Sequence, residues 1–243
     1  MSRVAPYIHS STFGNELICL TLEDQYNKVM HLLEKHPIIS DQISRDELQR
    51  ILDILEDILM SGIPGDVVEL GCYVGTTTLF LQRLLLAYKS DKQLHAYDSF
   101  EGLPPKADQD ASPAGEQFKA GELRAQRSEF VQHFRQAGLP LPVVHKAWFS
   151  NLTSADMPQT IAFAFLDGDF YESIRDSLKL VWPRLAEGAV VIVDDYQSEA
   201  LPGTKRAVDE WLTTHPARVQ VASSLAIVRP QAAGDGTASS SFV

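Results

Sequence analysis

Hydrophobic and polar positions alternate in two rhythms along this chain. Val29, Met30 and Leu33, with Tyr26 before them, recur at helical spacing from a start near Leu22, and Pro37 stops the run. A second helix is predicted after Ser44, with Glu47 three residues on as a capping box. Leu48, Ile51, Leu52, Leu55, Ile58 and Leu59 form its apolar face, and Gly62 and Pro64 end it. Short apolar runs then take over. Asp66–Leu70 reads as a strand, followed by GCYVGTTT and a helix to about Tyr88. A second strand covers 94–97 and a third 142–145, with a helix over 124–137 between them. Ile161–Leu166 and 189–193 are strands parted by a helix-length segment. Ala207, Val208, Trp211 and Leu212 mark one more helix, and 218–222 with 225–228 a closing hairpin around Ser223 and Ser224.

Strand, helix, strand in this order predicts an α/β fold with a mostly parallel sheet, an antiparallel hairpin at its C-terminal end and a helical addition at its N-terminus. The expected division is a helical segment over 1–62, a main domain over 63–230 and a disordered Gly/Ser/Ala-rich tail over 231–243. The helical addition can cap the sheet, build an oligomer contact or close over a substrate. Residues 104–121 lack apolar period and are rich in Pro, Gly, Ala, Asp and Lys, so a mobile lid is expected there.

Acids stand at the ends of the apolar runs. Asp167 and Asp169 follow one strand, and Asp194 and Asp195 follow the next. Parallel strands joined by one crossover bring both sets of acids to the same carboxyl edge, where open α/β sheets bind ligands. Carboxylates crowded there repel one another unless a cation or a proton sits among them. The sharp reading is a hard divalent metal; the bland one is polar strand ends and helix N-caps facing water. Gly71 and Gly75 allow a tight turn, and the free N–H groups near Thr76 favour an electron-rich group. Glu69 beside that turn suits a positively charged ligand. Asp98, ending the second strand, can take ribose hydroxyls or serve as an N-cap. His145 ends the third strand and is read as structural or exposed, with the site as the alternative.

Composition narrows the partners. The 243 residues carry a formal charge of −11, which argues against a nucleic-acid binder. Hydrophobic content of 44% supports a packed core, and no apolar run reaches membrane-spanning length. Cys19 and Cys72 form no CxxC pattern, so neither a disulfide framework nor a thiolate zinc site is expected. The opening MSRVAPYIHSSTFG holds no secretory apolar core, so a cytoplasmic protein is expected, acting on a small molecule and open to homo-oligomers. The dinucleotide fingerprint G-x-G-x-x-G is absent, which disfavours a nicotinamide oxidoreductase. A non-catalytic binding module on the same fold is the third class, and the intact acids argue against it.

The segments VELGCYVGTTT, AYDSFEGLP, KAWF, FLDGDFYES, VVIVDDY and TKRAVDEW, in this order, resemble the macrocin O-methyltransferase family, the TylF/MycF-like enzymes that methylate sugar hydroxyls on natural products. The resemblance implies a Rossmann-like class I methyltransferase using S-adenosylmethionine and Mg²⁺. It places Glu69, Gly71 and Gly75 at the cofactor turn, Asp98 on the ribose, and Ser99 and Phe100 beside the adenosine. It makes Asp167, Asp194 and Asp195 the metal ligands and Asp167 also the general base. Trp148 and Phe149 match the strand-end aromatic pair, while Asp169 and Tyr171 are assigned to loop and helix capping. The implied acceptor is a hydroxyl or vicinal diol on a sugar; a catechol-type enzyme acting on a phenolic diol is the nearest alternative.

Overall fold

The computed structural model describes residues 27–113 and 117–231. The predicted start near Leu22, Cys19, residues 114–116 of the expected lid and the tail after residue 231 lie outside them. Helix α1 (Asn27–Lys35) buries Val29 and Leu33 and ends ahead of Pro37. Helix α2 (Arg45–Met60) starts in the predicted capping box: the Ser44 hydroxyl accepts the Glu47 N–H, and the Glu47 carboxylate accepts the Ser44 N–H. Then follow β1 (Asp66–Leu70), α3 (Thr76–Ala87), β2 (Leu94–Asp98), α4 (Arg127–Ala137) and β3 (Val143–Lys146). The chain closes with β4 (Ile161–Leu166), α5 (Tyr171–Val181), β5 (Leu185–Val193), α6 (Pro202–Leu212), β6 (Ala217–Ala222) and β7 (Leu225–Pro230).

The seven strands form one sheet in the order β3-β2-β1-β4-β5-β7-β6. β1 to β5 run parallel, and the β6–β7 hairpin adds antiparallel to β5. All six residues of β4 are buried, as a central parallel strand covered on both faces requires. One face packs against α1, α2 and α3 through Leu48, Ile51, Leu52, Phe80, Phe163 and Ile192. The other packs against α5 and α6 through Leu166, Ile174, Leu178, Val191, Ala207 and Val208. The two N-terminal helices therefore share the core of the sheet and have none of their own among the described residues.

Two boundaries differ from the sequence reading by three residues or more. β5 begins at Leu185, four residues before the apolar run. Its register slips there, so that Ile161 pairs with Leu185 but Phe163 with Val190. The slip takes in exposed Glu187 and Gly188, which hide the strand from an apolar count. Helix α4 begins at Arg127 rather than 124, because its apolar face starts only at Phe130.

Ile51 is fully buried in the cluster that joins the N-terminal helices to strands beyond the proposed boundary at residue 62. Ile51→Ala is expected to cost about 2–5 kcal/mol. It should shift one shared urea transition, seen equally by far-ultraviolet circular dichroism and by tryptophan fluorescence. The three tryptophans, Trp148, Trp182 and Trp211, all lie beyond that boundary. Two separate transitions would show that the N-terminal helices fold independently.

Candidate functional site at the carboxyl edge

The strand order reverses between β1 and β4, and there the strand tips are held in line by one row of backbone hydrogen bonds. Ala147 N–H donates to the Asp98 carbonyl, Gly71 to Tyr97, Asp167 to Leu70 and Asp194 to Leu166, all at 2.8–2.9 Å. At the centre of the row Gly71 has no room for a side chain. A Cβ there would stand 1.8 Å from the Asp167 carbonyl oxygen, and its φ of 95° is one that glycine adopts freely. The glycine is thus needed for the approach of two strand tips as well as for the turn.

A cavity of about 410 Å³ opens over this row, within the range of small-molecule sites. Gly71, Asp98 and Ser99 line it, and so do Asp167, Asp169 and Asp195, together with Trp148 and Phe149. Asp98 also ties the turn: its Oδ2 accepts the N–H groups of Cys72 and Tyr73 at 2.9 Å, and its Oδ1 that of Phe100 at 2.7 Å. A carboxylate offers about four lone-pair sites, so its acceptor capacity toward the cavity is not used up.

One carboxylate oxygen from each of Asp167, Asp169 and Asp195 falls within 4.8 Å of the others. The expected set differs by one member. Asp194 follows Val193, which pairs with Leu166, so it stands beside Asp167. Its Oδ1 accepts the Asp195 N–H at 2.8 Å and lies 3.2 Å from the Ser224 hydroxyl, and it does not line the cavity. Asp169 takes the place in the group, in contrast to the capping role expected for it. Its reach comes from backbone geometry invisible in the sequence. Asp169 (φ 60°) and Asp195 (φ 54°) are both left-handed, as are Tyr73 and Phe100 at the same edge. Aspartate tolerates that region better than most residues, and such conformations gather at functional sites.

Burial and mutual repulsion raise the carboxyls together. For Asp167 burial comes first, then the charges of Asp194, Asp169, Asp195 and Glu69. Asp169 is raised by burial and then by Asp195 and Asp194, and Asp195 by burial and then by Glu47. Among the described residues, no basic side chain is a cause of these shifts. A donor set made only of carboxylate oxygens, short of positive charge, fits a hard divalent cation.

Three residues expected at the cofactor turn do not line the cavity. Gly75 is the left-handed N-cap of α3, and a Cβ there would meet the Phe130 ring at 2.9 Å, so its work is packing. Phe100 is buried edge-on against Phe130. Glu69 is 1% exposed, and its Oε2 has no hydrogen-bond partner. His145 stacks on Tyr97 at 4.3 Å, the structural alternative. Asp41 and Gln42, between α1 and α2, join the wall, as do Glu172, Arg175 and Asp176 of α5. The loop 36–44 and the polar face of α5 carried no sequence signal for that role.

The description Macrocin-O-methyltransferase (TylF) belongs to the family model that matches residues 33–223. The demethyldecarbamoylnovobiocin O-methyltransferase of Streptomyces niveus is 31% identical over 178 residues, which cover 68% of this chain and 64% of that protein. The mycinamicin III 3''-O-methyltransferase of Micromonospora griseorubida is 29% identical over 191 residues, 75% of this chain and 74% of its own. The chain thus spans slightly less than two thirds of the first relative's length. The solved O-methyltransferase NovP superposes with a TM-score of 0.64 at 27% identity, over 75% of this chain and 78% of that one. The calicheamicin methyltransferase CalS11 superposes at 0.61 with 21% identity, over 91% and 99%, a likeness of fold.

Glu69 supplies a test of the turn. Burial raises its carboxyl from 4.5 to about 8. The folded state therefore holds this proton more tightly than the unfolded chain. The stability it contributes is full below about pH 4.5 and is lost as the pH rises through about 8. Glu69→Gln keeps the shape and cannot ionise. Its Tm relative to the wild type is expected to rise between about pH 5 and about pH 9. A Tm difference that stays flat over that range would show that Glu69 is ionised throughout.

Proposed function

The chain belongs to the macrocin O-methyltransferase (TylF) family, and from that membership we propose that it moves a methyl group from S-adenosylmethionine to a hydroxyl of a small-molecule acceptor. The acceptor class we infer is a sugar of a glycosylated natural product, in keeping with the rhamnosyl group in the name of a further relative. The observation that carries the reading is one cavity walled both by Gly71, Asp98 and Ser99 and by Asp167, Asp169 and Asp195. Methyl donor and acceptor need that adjacency. In this reading residues 63–230 hold the catalytic unit, and the N-terminal segment contributes acceptor contacts through Asp41 and Gln42. A cytoplasmic place of action goes with it, and no helix among the described residues is long and apolar enough to cross a membrane.

In the transfer the acceptor oxygen attacks the sulfonium methyl from behind. The O–CH₃ bond forms as the C–S bond breaks, the sulfur leaves as a neutral thioether in S-adenosylhomocysteine, and the acceptor proton passes to a carboxylate. Asp98 and the glycine turn orient the donor, and Trp148 and Phe149 shield the acceptor side from water. Holding both reactants in line supplies the larger share of the rate, on the order of 7–11 kcal/mol in favourable intramolecular cases.

Asp167 and Asp195 are common to the expected ligand set and to the group that gathers in the fold, so we assign them to a divalent cation, Mg²⁺ by donor chemistry, with Asp194 beside Asp167. Such a cation would lower the pKa of a bound hydroxyl. A carboxylate that holds a dication is a weaker base, so the proton is assigned to Asp169, which lines the same cavity, rather than to Asp167.

The test is methyl transfer to demethyldecarbamoylnovobiocin and to mycinamicin III, read as S-adenosylhomocysteine released. Asp169→Asn is expected to lower kcat by about 10²–10⁴-fold with cofactor affinity kept. Full turnover by this variant would return the proton to Asp167. Unchanged turnover in EDTA would remove the cation. No cofactor binding by calorimetry would defeat the methyltransferase reading itself.

A further inference from the structure

We propose that Asp110 is a positioning residue: its carboxylate ties the loop that walls the cavity beside Asp98 to the first turn of α5, and thereby sets Asp169. The proposal rests on the methyltransferase reading for what the cavity holds.

Helix α5 starts at Tyr171 without a side-chain cap of its own, since its N-cap residue is Phe170. The first amides of a helix need partners from elsewhere. Asp110 Oδ1 accepts the Tyr171 N–H at 2.7 Å across 61 residues of sequence. Its Oδ2 accepts the N–H of Ala107, within its own loop, at 2.9 Å. Asp110 is 2% exposed, rare for an aspartate unless it is engaged.

Helix α6 meets the same carboxylate. It too starts without a side-chain cap, at Leu201, and its second residue is Gly203. A Cβ at Gly203 would stand 1.8 Å from Asp110 Oδ1 and 2.9 Å from the Tyr171 nitrogen. The carboxylate therefore lies at the N-terminal turns of two helices, where the macrodipoles favour a negative charge. The next residue, Thr204, is fully buried and donates its hydroxyl to the Asp169 carbonyl at 2.8 Å. Asp169 is thus held from both sides: Thr204 fixes its carbonyl, and Asp110 fixes the amide two residues on.

The loop end of the tie reaches the cavity. Gly102, Leu103 and Pro104 line it next to Asp98 and Ser99. Leu103 packs with Phe170 and Leu201 in a small buried cluster, and the Lys106 ammonium lies 5.6 Å from the Phe170 ring. Ser112 donates to the Glu199 carbonyl at 2.7 Å, a second tether on the same loop. A loop held this way is a fixed wall in its described parts.

Two variants press on the tie from opposite sides. Asp110→Asn keeps the size but turns an NH₂ toward one of the two N–H donors. Gly203→Ala drives a methyl into the carboxylate. Each is read by calorimetry with S-adenosylhomocysteine and by amide exchange at Tyr171 and along 103–113. Both variants are expected to lose protection in both segments and to bind S-adenosylhomocysteine roughly tenfold more weakly, about the loss of one helix cap. Lost protection at Tyr171 with unchanged affinity would reduce Asp110 to a helix cap and overturn the proposal. Wild-type protection in both variants would overturn it as well. If the wild type binds no S-adenosylhomocysteine, the methyltransferase reading fails. The exchange data still decide the tie: joint loss of protection in the two segments upholds it, and loss in one alone overturns it.

Discussion

The carboxyl edge depends on one close approach. The tip of β1 and the tip of β4 are drawn together by the Asp167 N–H bond to the Leu70 carbonyl, and the Asp167 carbonyl lies against the bare Cα of Gly71. A parallel ladder sets strand spacing, but it does not bring a backbone carbonyl into the space of a neighbouring side chain. That needs a residue without one. From this contact the cavity follows. Strands β2 and β3 extend the row to one side and β5 to the other, so acids far apart in sequence share one rim.

Gathering these acids has an electrostatic cost. Four carboxyls rise together through burial and repulsion, and nothing basic among the described residues relieves them. The fold accepts this strain and adds left-handed backbone at Asp169 and Asp195, each such residue worth on the order of 1–3 kcal/mol when unfavourable. Large cores on both faces of the sheet offset it. The arrangement suits a site that recruits positive charge, whether a cation or the sulfonium of a methyl donor.

The periphery braces this rim more than its position in the chain suggests. Glu47 closes the capping box of α2 and also accepts the Ser224 hydroxyl at 2.5 Å, and that hydroxyl reaches Asp194. The N-terminal helix and the C-terminal hairpin thus meet behind the acids, 177 residues apart in sequence. The Tyr171 hydroxyl donates to Glu210 at 2.6 Å and ties α5 to α6. Segments that a linear reading would treat as additions are parts of the same frame.

Local sequence pattern determined the α/β class, the parallel direction of β1 to β5, the closing hairpin and the capping box at Ser44. Each rests on contacts between near neighbours in sequence or on the burial pattern of a single element. The acids at the tips of β4 and β5 were legible too, because two strands joined by a crossover helix run parallel and so end at one edge. Which of those acids point at one another was not. Side chains at a strand end no longer alternate once the backbone turns left-handed, so Asp169 joined the group and Asp194 stood aside by torsions that composition does not encode. Glu69 and Gly75 read as ligand contacts because they flank the turn, and Phe100 because of the resemblance, yet Glu69 is buried and Phe130 packs against the other two. Asp110 and Gly203 carry no local signal at all. Their meaning lies in a contact across the whole domain, and only the tertiary structure makes it.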